Sequence, residues 1–151
     1  MPKANQPLKA FFYNVDLEIE SPTKLDALIA EMGKRVNVLY AGPVTKRRRH
    51  FASLEISRFY KGPDATIHAL CSVVDHLSPA ARGIWNAARK TFDVGYELRP
   101  TERCSRFTLR TDTLERITSL GATLTVTYYP GESFGAFPKV VAQKPRKKRH
   151  G

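Results

Sequence analysis

The residues with the most reactive potential are few. Cys104 has Arg103 before it and Arg106 two positions after, and guanidinium groups at that distance favour the nucleophilic thiolate. No histidine stands near it in sequence to act as a base, so the ordinary reading is an exposed loop cysteine. His68, Cys71 and Asp75 follow at helical spacing with His76 adjacent, types that could ligate a metal ion. Cys71 is also demanded by an apolar stripe, and no fourth ligand stands at a familiar spacing. Asp75, His76 and Ser78 imitate the members of a hydrolytic triad, but Ser78 before Pro79 is better explained as a helix cap. Gly33, Gly42, Gly62, Gly83, Gly95 and Gly121 are isolated, so no phosphate-cradling loop is present. The expectation is a chain without a catalytic centre, metal or cofactor.

The basic residues carry more information. The net charge is +11, and it is concentrated in two clusters. Lys46, Arg47, Arg48 and Arg49, followed by His50, form the first; Lys139, Lys144, Arg146, Lys147, Lys148 and Arg149 form the second. Without the ten Lys and Arg of these clusters, 15 basic residues remain against 14 acidic ones, so the rest of the chain is nearly neutral. Such clusters neutralise phosphates by counterion release, and Phe51, Tyr128 and Tyr129 lie close enough in sequence to stack on unpaired bases. The alternative is a solvated charge run that serves solubility. The reading is a non-enzymatic binding module for an acidic macromolecule, most simply nucleic acid. The rival is a protein–protein inhibitor, such as an immunity protein of a bacterial toxin system, whose basic loop covers an acidic cleft.

These residues need a scaffold. At 151 residues and 42% apolar, the chain fits one domain with a packed core. No apolar run approaches the roughly 20 residues of a membrane helix, the start lacks a secretory pattern, and only two cysteines occur. A cytoplasmic protein with free thiols and no membrane association is expected.

Phe11, Tyr13, Val15, Leu17 and Ile19 alternate with less apolar residues as a strand with one core face. Ser21 and Pro22 read as the cap and first position of a helix carrying Leu25, Leu28, Ile29 and Met32, closed by Gly33. Val36, Val38 and Tyr40 form a strand, the basic run a loop, and residues 51–60 the next strand. Asp64 is the expected cap of the longest helix, whose stripe is Ile67, Leu70, Cys71, Val74 and Leu77. A shorter helical segment through Ile84, Trp85 and Ala88 follows, and then a strand with Phe92, Val94, Tyr96 and Leu98. A short strand over residues 106–110, a helix with Leu114, Ile117 and Leu120, and a strand with Leu124, Val126 and Tyr128 complete the body.

Ile29, Met32, Gly33, Val36, Val38 and Tyr40 align without gaps on Ile117, Leu120, Gly121, Leu124, Val126 and Tyr128, 88 residues later. A duplicated βαβ-like half would leave this trace, and so would two helix-Gly-strand units that converged on one spacing. The order of elements predicts an α+β two-layer sandwich, a mainly antiparallel sheet with helices on one face in a ferredoxin-like arrangement. Residues 1–130 form its single domain, and residues 131–151 read as a basic, mostly disordered tail.

In this order of elements the chain resembles the bacterial domain-of-unknown-function family 4279 over about residues 9–130. The similarity is carried by the opening strand, the helix ending in Gly33, the Gly/Pro- and Arg-rich segment from Gly42 to Arg49 leading into Phe51-Ala52-Ser53-Leu54-Glu55-Ile56-Ser57, and the closing helix-strand unit from Leu114 to Tyr129. Phe51, where that pattern more often has Trp, and the basic tail depart from it. The resemblance implies the fold and supplies no catalytic residues.

Overall fold

The computed structural model describes residues 8–100 and 105–131. The elements are β1 (Leu8–Ser21), α1 (Asp26–Met32), β2 (Val36–Val44), β3 (Arg49–Ile56), α2 (Pro63–Asp75), α3 (Pro79–Ala87), β4 (Arg89–Pro100), α4 (Thr111–Ser119) and β5 (Thr123–Pro130). The strands form one five-stranded sheet in the order β2-β3-β1-β4-β5, antiparallel except for the final β4–β5 pair. The helices pack on one face of this α+β sheet. The β2-β3-β1-β4 portion has the ferredoxin-like order, and α4 with β5 adds a parallel strand at its edge.

Two β-α-β units lie on either side of the central β1–β4 pair. The strands of β1-α1-β2 are parallel with β3 between them, whereas those of β4-α4-β5 are adjacent. The matched segments therefore end in the two opposite edge strands. The helix of each unit is followed by a glycine at positive φ, +56° at Gly33 and +64° at Gly121, where a β-carbon would be strained.

The core lies between sheet and helices. Val15, Leu17 and Ile19 of β1, Leu54 of β3, and Phe92 and Val94 of β4 face Ile67, Leu70, Cys71 and Val74 of α2, all essentially inaccessible. Trp85 closes one end, 1% exposed, with its indole N–H donating to the Leu120 carbonyl at 3.2 Å.

Several sequence expectations need correction. The alternation of β1 does not hold one phase, because the register with β4 shifts between Phe12 and Asn14, leaving Tyr13 as the extra residue. Ala10 therefore points inward, while Phe11 is 37% and Tyr13 64% exposed. Ser21 and Pro22 do not begin α1. Ser21 accepts the Thr23 backbone N–H in a tight turn, and the helix starts at Asp26. Gly62 rather than Asp64 is the N-cap of α2, with Pro63 at the first position. Strand β3 ends at Ile56, four residues before Tyr60. Residues 106–110 form no strand; β4 already has β1 on one side and β5 on the other, so no edge remains there to pair with. Val126 and Tyr128 are about half exposed because β5 is an edge strand.

Candidate functional site

The first basic cluster tops the β2–β3 hairpin. Val44 pairs with Arg49, and the four residues between them form the turn, closed by the Arg47 N–H donating to the Val44 carbonyl at 3.2 Å. Arg48 takes a left-handed φ of +49°, a conformation that hairpin turns of this length use to reverse the chain. Lys46, Arg47 and Arg48 are exposed and form no ion pair among the described residues. Arg49 and His50 belong to β3 instead and are half-buried. Arg49 Nε lies 2.6 Å from Glu20 Oε1, off the N–H axis, so the attraction is Coulombic, and Arg49 Nη2 donates to the Glu20 carbonyl at 3.4 Å. Arg49 thus anchors the root of the hairpin, and the tip carries the available charge.

The second cluster lies outside the described residues, but its root can be placed. Strands β3, β4 and β5 all run in one direction. The hairpin turn precedes β3, and residue 131 follows β5, so the two basic segments are attached at opposite ends of the sheet. The 12 residues of β4 correspond to about 40 Å at the usual strand rise. The three aromatic candidates are likewise separated. Phe51 lies against Tyr40 at 6.1 Å near the hairpin, Tyr128 stacks on Tyr96 on the helix side, and Tyr129 meets Tyr13 on the open face.

The helix-free face carries a feature that composition hid. Asp16 is paired across the strands with Glu55 on one side and Asp93 on the other, and Glu18 lies two positions along. Asp16 is only 9% exposed. Burial first, then the charges of Glu55, Asp93 and Glu18, push its carboxyl up to about 7. Burial and Asp93 also raise Glu18. The Asn14 amide donates to Asp16 at 2.8 Å, and the Thr127 hydroxyl donates to Asp93 at 2.7 Å. None of these four carboxylates has a cationic partner among the described residues. The nearly neutral body is therefore polarised, with a negative band across the open face and a positive hairpin tip beside it. The signal was available as Asp16, Glu18 and Glu20 in antiphase to Val15, Leu17 and Ile19, but not the convergence of Glu55 and Asp93.

The metal-ligating types on α2 do not converge. His68 lies 3.2 Å from the Thr113 hydroxyl, Asp75 pairs with Arg116 at 2.6 Å, and His76 Nδ1 contacts the Ser72 carbonyl at 2.6 Å. Cys71 is buried in the core, and burial pushes its thiol up to about 11, which keeps it protonated. Ser78 is a cap, accepting the Ala81 N–H at 3.2 Å, and its own N–H and hydroxyl donate to Glu31, which ties α3 to α1. Cys104 lies outside the described residues. No helix among the described residues is long and apolar enough to cross a membrane.

The sequence matches no protein-family model, and no curated protein or solved structure matches it.

Proposed function

We propose that this chain is a non-enzymatic binding module that contacts the phosphate backbone of nucleic acid through the hairpin tip Lys46, Arg47 and Arg48, assisted by the tail cations Lys144, Arg146, Lys147, Lys148 and Arg149. The observation that carries this reading is the tip itself: three adjacent cations, exposed and without an ion-pair partner among the described residues, on a turn whose root is held by Arg49 and Glu20. Cations already paired within the protein gain little from a phosphate, whereas free ones release the condensed counterions of a polyanion. The carboxylates of the open face repel phosphate, so the polyanion approaches along the hairpin and not across the sheet.

The test is binding of a mixed-sequence oligonucleotide to the full chain as salt is raised. Affinity should fall linearly on log-log axes. Replacing Lys46, Arg47 and Arg48 together by Ala should weaken binding and make the slope shallower by about 0.7 to 0.9 for each phosphate that is no longer neutralised. The melting temperature should stay nearly constant, because exposed charges contribute little to folding. Absence of salt-sensitive binding at low ionic strength would refute the reading. The projecting hairpin also suits insertion into an acidic protein cleft, and a protein partner that the wild type binds and the same triple variant does not would favour that inhibitor reading.

A further inference from the structure

A second surface lies at the end of the sheet away from the hairpin. Strands β3 and β4 both finish there, and the described parts of their connections to α2 and α4, residues 57–62 and 105–110, come together where Lys61 and Gly62 face Arg110. The Asp64 carboxylate accepts the Arg110 backbone N–H at 3.0 Å and the Thr113 hydroxyl, which ties the start of α4 to the start of α2. Between them is an open depression of about 650 Å³, lined by Lys61, Asp64, His68, Arg110 and Asp112 among others. That volume is in the range of small-ligand sites.

Its carboxylates are engaged internally, Asp64 as described and Asp112 by Arg110, whose Nε and Nη2 donate to it at 3.0 and 2.6 Å. Lys61 on the lining, with Arg58 and Arg106 on the two connections, forms no ion pair among the described residues. The same connections present aromatic rings. Phe59, two residues before Lys61, is 84% exposed, more than any other large apolar side chain described. Phe107, three residues before Arg110, is 43% exposed on one side, and its other side rests on Tyr96 at 4.1 Å. Tyr96 also stacks on the half-exposed Tyr128 at 5.9 Å.

We propose that this end of the sheet holds unpaired nucleotides of a single strand, with bases stacked on Phe59 and Phe107 and phosphates met by Arg58, Lys61 and Arg106. This rests on the nucleic-acid reading and deepens it. Ring faces can be used only by bases whose own faces are free, and a duplex withholds those in its stack. The hairpin tip offers three exposed cations and accepts any phosphate backbone. The two ends of the molecule then divide the work: the hairpin supplies affinity without regard to strandedness, and the exposed rings of the two connections beside the depression select single strands.

Fluorescence anisotropy of the full chain, with a labelled mixed-sequence 12-nucleotide single strand and the matching duplex at fixed low salt, tests this. Phe59→Ala should weaken single-strand binding by about 5- to 150-fold, the usual loss for one stacked base, and leave duplex binding within about twofold. Phe59→Tyr should restore single-strand binding, and Phe59→Leu should not. The melting temperature should be unchanged in all three, since Phe59 packs little against the rest of the protein. If Phe59→Ala leaves single-strand affinity intact, or lowers both affinities equally, the inference fails while the hairpin reading stands. If Phe59→Leu binds like wild type, the contact is apolar rather than stacked and the inference fails. If wild type binds neither strand form, both readings fall together.

Discussion

Asp16 should make the stability of this protein depend on pH in the opposite sense to an ordinary salt-bridged carboxylate. Its carboxyl is raised from 3.8 to about 7 by burial and by Glu55, Asp93 and Glu18. Between those values the folded state binds the proton and the unfolded state does not, so stability falls as pH rises through this window and levels off above it. At about 1.4 kcal/mol per unit, the full cost of ionising Asp16 in place is about 4 kcal/mol, an upper bound because the open side of the sheet allows counterions to approach. Asp16→Asn removes the charge and keeps an oxygen for the Asn14 amide. Urea denaturation should therefore show the variant more stable than wild type by about 2 to 4 kcal/mol at pH 8, with the gain falling to less than half of that at pH 5. The comparison cancels the titrating groups that are not coupled to Asp16. A gain that is equal at the two pH values, or no gain at pH 8, would refute the account of the acidic row.

Other consequences follow from burial. Ile117 is 3% exposed, and Ile117→Ala should cost about 2 to 4 kcal/mol by chemical denaturation, whereas its aligned counterpart Ile29 is only partly buried and Ile29→Ala should cost about half as much. Equal losses would contradict the packing described. Cys71 should resist alkylation in the folded protein at pH 8 and react fully in denaturant, as read by peptide mass, because its thiol is both buried and protonated.

The order and type of most elements were legible because period-two and helical spacings survive in single segments. The layer arrangement followed from the same order. What local spacing could not carry is non-local. The bulge at Tyr13 reverses the facing of β1 without changing the alternation of residue types, so Phe11 and Tyr13 read as core residues when they are not. Asp64 reads in sequence as the cap of its own helix, yet it is the second helical residue and its carboxylate serves Arg110 and Thr113, 46 and 49 residues away. The basic hairpin was legible as a charged loop, but the assignment of Arg49 to an internal pair depends on Glu20 in a neighbouring strand. The acidic row and the depression are assembled from segments far apart in the chain, and no local spacing announces either.

The direction of the strands also has a practical meaning for handling the molecule. The chain enters β1 at Leu8, which is paired with Pro100, and leaves β5 at Pro130, which is paired with Leu98, so the described body is entered and left at one end. A linkage made at Leu8 or at Pro130 would lie at that end, with the β2–β3 hairpin at the other. Protein immobilised through either of those two positions should therefore capture ligands of the hairpin better than ligands of the opposite end.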